Sequence, residues 1–415
     1  MERFGDKVIC NPVVKLEKNK KYSFISIDMI TPIYKSVDGN QLTAYTGQSC
    51  SKFEDKDILM ARITPCLENG KLAVAKTVGN KGFGSTEFFV FRGIKDVSDT
   101  DYIYYLLSMP YMRELATNSM TGASGRQRAD LGFIKKIPWT FPSISKQRQI
   151  AEVLSSFDNL IEINNRRISV ISKLANNIYD EWFVRFRYPG NELRNHVKSR
   201  LGKIPEDFTI LKMAEVFDYY IGGGWGNDEP DKEFDQEAYV IRGADFPSVS
   251  KGDVSSCPLR YHKLSNYSKR VLQENDIIIE VSGGTADQPV GRTLLVDKDI
   301  IDRLGGRVIC ASFCKMLRLN DRVGPYYFYY WMQFLYDTRI IERFQLQSTG
   351  IINFKFDYFL NKGDILIPPK NLMNEFERII RPLHKEKMML ARKNDLLMRQ
   401  REMLLPRLMS GKLNV

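Results

Sequence analysis

The sequence has few of the residues from which catalytic and metal sites are built. It contains only three histidines, and its six cysteines are scattered, with only Cys310 and Cys314 close together. The sequence has no CxxC pair and no Cys/His cluster with the spacing of a zinc site. Scattered, reduced thiols are typical of cytoplasmic proteins, because disulfides persist mainly in oxidising compartments. This pattern predicts a cytoplasmic protein without a metal site or cofactor of its own.

Phosphate-binding motifs are also absent. The chain has no GxxxxGK[ST] loop, and the glycine-rich segment IGGGWG at 221–226 lacks the lysine and hydroxyl residue of such a loop. Residues such as Asp364, Glu280 and Lys355 would be the starting set for a nuclease, but any chain of this length offers such triples. We therefore expect a protein that is not itself an enzyme.

Long hydrophobic runs are missing, whereas positive charge is in excess. No segment approaches the ~18–20 consecutive apolar residues of a membrane span, and the N-terminal MERFGDKVIC has no hydrophobic signal-peptide core. The net charge of +11 and the pI near 9.2 favour a polyanionic partner.

A long amphipathic helix is predicted from Ser145 to about Arg185. Its apolar residues step by four and three for more than four heptads, which is the stripe of a coiled-coil seam. The predicted seam positions are Ile150, Leu154, Phe157, Ile161, Asn164, Ile168, Ile171 and Ile178. The polar Asn164 is expected to restrict the register and the partner of this seam.

A second long helix is predicted from near Asn371 to about Leu405, with a kink at Pro382. Its predicted seam positions are Phe376, Ile380, Leu383, Leu390, Asn394 and Leu397. We predict that the two helices pair within the chain as an antiparallel coiled coil. The alternative is two separate amphipathic helices, each packed on its own domain.

The chain repeats itself. Six segments of residues 1–142 recur in the same order between about 202 and 369; they include KFEDKDILMARITP with VLQENDIIIEVSGG, GSTEFFVFR with ICASFCKMLRL, and DYIYYLLSM with PYYFYYWMQFL. Such self-similarity indicates an internal duplication of a globular unit followed by a long helix. The second half opens with GKIPEDFTILKMAEVFDYYIGGGWGND, for which no counterpart is visible before Tyr22. We therefore expect the first unit to be shorter at its start.

The predicted fold class is α+β, with two mixed α/β domains separated by two long helices and related by a pseudo-two-fold internal repeat. Strand-like segments alternate with turn signals in both globular parts. The predicted boundaries place the first domain at 1–142, the central helix and linker at 143–190, the second domain at 191–369 and the distal helix at 370–415.

Polar, planar side chains in matching loops of the two halves are candidates for DNA contacts, because arginine pairs with guanine and asparagine or glutamine with adenine. In the first half the candidates are Arg62, Asn69, Lys71, Ser124, Arg126, Gln127 and Arg128. In the second half they are Trp225, Asn227, Arg242, Ser282, Thr285, Gln288, Arg292, Thr349, Asn353 and Lys355. For each residue alone, the simpler interpretation is a solvated surface group. The paired tyrosine-rich segments are expected to be core.

Three segments carry a resemblance to a known family: IPWTFPSISKQRQIAEVLSSFDNLIEINNRRI, EWFVRFRYPG and the terminal REMLLPRLMSGKL. With them, nearly the whole chain resembles the specificity subunit of type I restriction-modification enzymes. The resemblance implies that each globular domain is a target recognition domain for one half of a bipartite DNA site. It also implies that the helices set the spacer and dock two methyltransferase subunits, that restriction (motor) subunits join them, and that S-adenosylmethionine, ATP and Mg belong to those partners.

Two other functions stay open at this point. The chain could be a two-headed scaffold that binds proteins without DNA specificity, and salt-sensitive binding to random duplexes would separate this from the first interpretation. It could also be an enzyme in its own right, which activity of the purified chain would reveal.

Overall fold

The computed structural model describes residues 2–123, 125–190, 195–284, 288–348 and 351–414. The chain forms two compact units: unit 1 comprises Met1–Ile163 with Leu396–Val415, and unit 2 comprises Asn164–Asp395. Within the described ranges, none of the helices combines the length and apolar character that a membrane span requires.

Unit 1 is built from short strands that form a five-stranded sheet, a four-stranded sheet and a two-stranded ribbon. The strands are β1 (Glu2–Arg3), β2 (Val8–Cys10), β3 (Lys21–Ile25), β4 (Ser36–Gly39), β5 (Leu42–Ala44), β6 (Ser51–Glu54), β7 (Ile58–Ala61), β8 (Leu72–Thr77), β9 (Lys81–Gly84), β10 (Phe88–Gly93) and β11 (Pro138–Trp139). The sheet orders are β2-β10-β7-β8-β4, β5-β3-β9-β6 and β1-β11.

The helices of the first half are α1 (Phe4–Lys7), α2 (Thr100–Ser108), α3 (Pro110–Asn118), α4 (Leu131–Lys136) and α5 (Ile144–Tyr179). The Asp99 side chain caps α2 by accepting the backbone N–H of Tyr102 at 3.0 Å, and Pro110 opens α3 at its first turn. The core packs α2 against the five-stranded sheet, with Phe91 and Tyr105 fully buried. The predicted core role of these tyrosines is confirmed.

Unit 2 repeats this plan with additional strands. They are β12 (His196–Ser199), β13 (Gly202–Pro205), β14 (Thr209–Lys212), β15 (Phe217–Gly222), β16 (Gln236–Ile241), β17 (Leu259–His262), β18 (Ile277–Glu280), β19 (Ser282–Gly284), β20 (Thr293–Leu295), β21 (Val308–Cys310), β22 (Cys314–Leu319), β23 (Gln345–Ser348), β24 (Ile351–Phe354) and β25 (Asp364–Ile367). The sheet orders are β15-β22-β18-β20, β17-β16-β21, β19-β24-β23, β14-β25 and β12-β13.

The helices of the second half are α6 (Phe246–Val249), α7 (Leu264–Arg270), α8 (Lys298–Arg303), α9 (Pro325–Asp337), α10 (Phe356–Lys362) and α11 (Lys370–Met409). Helix α9 takes the place of α2, and its Tyr327 and Phe328 are fully buried in the core of unit 2.

One buried ion pair occurs in both units at the same point of the fold. In unit 1, Arg92 of β10 donates to both carboxylate oxygens of Asp57, at 2.6 and 2.8 Å. In unit 2, Arg318 of β22 donates to both oxygens of Asp276, at 2.8 Å each. Both carboxylates are buried and precede a central strand. The internal repeat predicted from the sequence is therefore confirmed in atomic detail.

Contrary to the expectation from sequence, part of the segment that opens the second half does have a counterpart before Tyr22. Unit 1 still starts shorter, because the β12–β13 pair has no equivalent among its described strands. Strands β1 and β2, with α1 between them, pair with β11 and β10. Strands β14 and β15, with a 3-10 turn at Met213–Val216 between them, pair in the same way with β25 and β22. The counterpart was not visible in the sequence because β1 has two residues and α1 has four.

The two long helices are antiparallel. In unit 2, Asn164 of α5 donates to Asn394 of α11 at 2.8 Å, and Arg167 pairs with Glu386. A later residue of α5 therefore contacts an earlier residue of α11, as antiparallel helices require. In unit 1, Arg401 pairs with Asp158. Helix α11 continues through Pro382 without interruption, and a π-helical turn at Asp180–Val184 follows α5.

The predicted seam residues fall into two classes of burial. Those that are buried are Ile150, Leu154, Ile161, Asn164, Ile168, Phe376, Ile380, Leu390 and Asn394. Those that are half-buried are Phe157, Ile171, Ile178, Leu383 and Leu397. Both asparagines are buried. Asn164 donates to the Asn394 oxygen, and the Asn394 amide donates in turn to the oxygen of the half-buried Asn165 at 2.9 Å, so the buried polar atoms have partners inside the apolar seam.

Candidate nucleic-acid interface

In unit 1, three chain segments meet beside the start of β10. The backbone N–H of Arg62 donates to the carbonyl of Glu87 at 3.0 Å, and the N–H of Ala129 donates to the carbonyl of Arg62 at 2.8 Å. Ile63 and Arg128 form an isolated antiparallel bridge. The backbone therefore holds the side chains of residues 62, 87 and 128 close together.

Unit 2 has the same backbone arrangement. The N–H of Val281 donates to the carbonyl of Phe313 at 2.8 Å, and the N–H of Phe354 donates to the carbonyl of Val281 at 2.8 Å. Ser282 and Asn353 are register partners in the β19–β24 pair.

The two arrangements define equivalent positions. Residues 62, 63, 87 and 128 of unit 1 correspond to residues 281, 282, 313 and 353 of unit 2. The backbone frame is the same, yet the side chains differ in charge, polarity and size at each position. We call residues 62, 87 and 128 the Glu87 cluster.

The Glu87 cluster places two arginines on one carboxylate. Arg128 donates to Glu87 from Nε at 3.0 Å and from Nη2 at 2.6 Å, and Arg62 donates from Nε at 3.2 Å. Hydrogen bonds from Arg128 first, and then from Arg62, lower the pKa of Glu87 below its ordinary value. The cluster keeps an excess positive charge, and the Arg128 side chain is 45 % exposed.

Three other candidates lie in the segment before Arg128. Arg126 is exposed, and Gln127 is half-buried, with its carbonyl accepting the N–H of Thr64 at 3.0 Å. Ser124 lies outside the described residues. Arg126, Gln127 and Arg128 are therefore brought to the same part of unit 1 as Arg62.

Asn69 and Lys71 lie at the far end of the loop that begins at Arg62. Asn69 is exposed, whereas the Lys71 amine donates to the carbonyl of Ile27 at 3.0 Å. Lys71 also lines a cavity of about 610 Å³ with Tyr111 and Arg401. The Lys71 carbonyl accepts the N–H of Ala61 at 2.9 Å, so the backbone of Lys71 lies beside the residue before Arg62, whereas its side chain is held at Ile27.

In unit 2 the hairpin candidates gather around Asn353. The Ser282 hydroxyl donates to the Asn353 carboxamide oxygen at 2.7 Å, and the Lys355 side chain is exposed two residues further on. Gln288 is exposed, and its carboxamide lies beside the guanidinium of Arg292. Thr285 and Thr349 lie outside the described residues.

Arg242 and Arg292 already use their guanidinium forks inside the protein. Arg292 donates to both oxygens of Glu280, at 2.9 and 2.8 Å, and Arg242 donates to both oxygens of Asp245, at 2.9 and 2.8 Å. Glu280 and Asp245 are buried. These contacts hold the loops of Arg242 and Arg292 in place and leave few guanidinium N–H groups of these two residues for a ligand.

Trp225 and Asn227 form a separate site next to β17. The Arg260 guanidinium lies 4.3 Å from the centroid of the Trp225 ring and pairs with Asp228. Asn227 exchanges backbone hydrogen bonds with Tyr261 at 2.9 and 3.0 Å. Arg260 was not a candidate from sequence, because its contact with Trp225 joins segments that are remote along the chain.

Two of the three residues considered for a nuclease site, Glu280 and Asp364, form ion pairs with other residues. Glu280 is paired with Arg292, and Asp364 with Lys212 at 2.7 Å. Among the described residues, no set of three or more His, Cys, Asp and Glu side chains could hold a metal ion. Burial raises the pKa of the Cys310 thiol to about 12, which disfavours the reactive thiolate.

The comparisons with known proteins agree with this architecture. The family model for the type I restriction modification DNA specificity domain matches residues 7–173. The MjaIX specificity subunit of Methanocaldococcus jannaschii is 26 % identical over 96 % of this chain and 89 % of its own length. The MjaVIII specificity subunit of the same organism is 26 % identical over 72 % of this chain and 69 % of its own length.

One solved structure has the same fold. The S subunit of a type I restriction-modification system from M. genitalium superposes with a TM-score of 0.55 at 14 % identity, covering 98 % of this chain and 95 % of that one. Residues 7–173 thus match the type I restriction modification DNA specificity domain, and nearly the whole chain is similar in sequence and fold to type I restriction-modification specificity subunits.

Proposed function

We propose that this chain is the DNA-specificity subunit of a type I restriction-modification complex, and that each unit reads one half of a bipartite target. One observation carries the proposal. The same backbone frame holds Arg62, Glu87 and Arg128 in unit 1, but Val281, Phe313 and Asn353 in unit 2. A duplicated frame that carries different side chains, of which Arg128 and Phe313 are exposed, is what two readers of different base sequences need.

The side chains suit the chemistry of base edges. An arginine fork donates two hydrogen bonds to the O6 and N7 atoms of guanine, and an asparagine carboxamide pairs with the N6 and N7 atoms of adenine. We propose that Asn353 makes such a contact with adenine. We propose that Arg128, whose Nε and Nη2 bind Glu87, contacts guanine through the other edge of its exposed guanidinium, formed by Nη1 and Nη2. Exposed cations such as Arg126 and Lys355 would supply attraction to phosphates, which positions the duplex without reading it.

The long helices suit a spacer. Helix α5 has 36 residues, and at ~1.5 Å per residue it is about 54 Å long. We propose that the pair of helices sets the gap between the half-sites. Because the chain is duplicated, two identical methyltransferase subunits can dock on it in equivalent ways.

Catalysis is assigned to the partners. We propose that S-adenosylmethionine, ATP and Mg bind to the methyltransferase and restriction subunits. This chain, which acts in the cytoplasm as their specificity component, contributes recognition and assembly only.

Binding of the full chain, with its methyltransferase subunits, to a pool of random duplexes tests the proposal. If ~6–10 phosphates are contacted, affinity falls ~10³–10⁵-fold between 50 and 200 mM salt. Repeated selection should then enrich a sequence with two specified parts and an unspecified gap. Binding that is insensitive to salt, or selection that enriches no sequence, would favour the alternative of a protein-binding scaffold.

A further inference from the structure

Phe313 is exposed at a position where the fold of unit 2 should favour a polar residue. Its side chain is 68 % exposed, the largest value for a large apolar residue among the described residues of unit 2. It lies in the turn before β22, after the buried Ala311, whose carbonyl accepts the N–H of Cys314 at 2.9 Å. Packing of unit 2 therefore does not account for this aromatic ring.

The surroundings of Phe313 are those of the proposed DNA-reading surface. Its carbonyl accepts the N–H of Val281, the residue before Ser282, and the Ser282 hydroxyl contacts the Asn353 carboxamide. The exposed Lys355 adds a positive charge two residues beyond Asn353. In unit 1 the equivalent of Phe313 is Glu87, which holds the two arginines of its cluster.

We infer that Phe313 is a specificity-determining residue that recognises the C5-methyl group of a thymine in the half-site read by unit 2. The inference rests on the proposed function. Thymine is the base that presents an apolar group in the major groove, and phenylalanine is one of the side chains that contact it. Asn353 beside it suits adenine. Asn353 and Phe313 could therefore read the adenine and the thymine of one A·T base pair, or of two adjacent A·T base pairs.

The Asn353 carboxamide can still bind adenine although it is already hydrogen-bonded to Ser282. Its oxygen accepts one hydrogen bond from Ser282, and a carboxamide oxygen has two lone pairs, so a second bond from the N6 amino group of adenine remains possible. The Ser282 contact fixes the orientation of the carboxamide. Unit 1 offers arginines at the same place and is expected to read guanine instead.

The test uses the complex of the full chain with its methyltransferase subunits, on a duplex that carries the selected target. Every thymine of the second half-site is replaced by deoxyuridine, which removes only the C5-methyl group. The wild-type complex should lose ~5-fold or more in affinity. Phe313→Ala should bind the thymine duplex correspondingly more weakly and should show no further loss with deoxyuridine. Phe313→Tyr, which keeps the ring, should retain the sensitivity to the methyl group.

Leu264→Ala is the matched control, because Leu264 is 61 % exposed on α7 and is not one of the residues around Asn353 and Phe313. It should behave as wild type on both duplexes. Equal affinity of the wild-type complex for the thymine and deoxyuridine duplexes would overturn the inference, as would an unchanged ratio in Phe313→Ala or a selected half-site without thymine. Loss of complex assembly in Phe313→Ala would also overturn the inference, because it would show that the ring contacts a protein subunit instead. Absence of any sequence selectivity in the wild type would contradict the proposed function itself.

Discussion

Replacement of the buried asparagine pair tests the helix pairing most sharply. Asn164→Leu leaves the buried Asn394 oxygen without its donor, which costs about 1–3 kcal/mol. Burial of the leucine side chain returns about 1.5–3 kcal/mol. The single variant should therefore unfold with a free energy within about 1 kcal/mol of wild type. The double variant Asn164→Leu with Asn394→Leu removes both buried carboxamides. The Asn165 oxygen loses its donor, but Asn165 is only half-buried and its oxygen is open to water, so the double variant should be more stable than wild type by about 1–3 kcal/mol.

The assay is denaturant unfolding of the full chain, with the slope of free energy against denaturant checked for constancy. The double-mutant cycle should give a coupling energy of at least about 1 kcal/mol. The exposed pair Arg167 and Glu386, replaced by alanines in a second cycle, is the control and should couple by less than about 1 kcal/mol. A double variant that is less stable than either single one would refute the reasoning, because it would mean that the two carboxamides do not face each other across an apolar seam.

Three further predictions concern an exposed arginine, the length of the two long helices and a buried lysine. Arg126→Ala, which alters an exposed side chain of unit 1 only, should weaken recognition of one half-site in a methylation assay on half-site variants, and equal losses at both halves would contradict it. Insertion of one heptad into both α5 and α11 adds about 10 Å and should lengthen the tolerated gap by about three base pairs in a spacer-length series, whereas an unchanged gap would reject the spacer role. Burial lowers the pKa of Lys387 to about 8, from an ordinary lysine pKa of 10.5. Between about pH 8 and 10.5, Lys387 is therefore protonated in the unfolded chain and largely neutral in the folded one. Unfolding free energy should therefore rise with pH across that window by an amount on the order of 3 kcal/mol, and Lys387→Met, measured in parallel, should lack this rise.

The long helices were predictable because their seam is local information. A stripe that repeats every seven residues shows in the sequence whether or not the partner is known, and the helix found at Ile144–Tyr179 begins within one residue of the predicted start. The duplication was predictable for the same reason, since strands and turns recur in order. The start of unit 1 was not, because two-residue β1 depends on its pairing with β11 and has no pattern of its own.

The surface was harder to predict, because the state of an arginine depends on residues far away in the sequence. Arg242 looked like Arg126, yet its fork is held by a buried carboxylate and the carbonyl of Ser256. Glu87 did not look like a recognition residue, although it orients two arginines. Phe313 lies in the apolar segment ICASFC and resembled strand core, because exposure at a turn cannot be inferred from composition.

Methylation mapping tests the central claim most directly. The chain is co-expressed with its methyltransferase subunit, and methylated adenines are located on single DNA molecules for the wild type, Arg128→Ala and Asn353→Ala. Lys95→Ala removes an exposed charge beyond the opposite end of β10, about 20 Å of strand away, and serves as control. We expect a bipartite target in which Arg128→Ala relaxes one half and Asn353→Ala the other, with the control unchanged. A target without two separate parts, or an active complex in which each variant relaxes both halves equally, would contradict the assignment of one half-site to each unit.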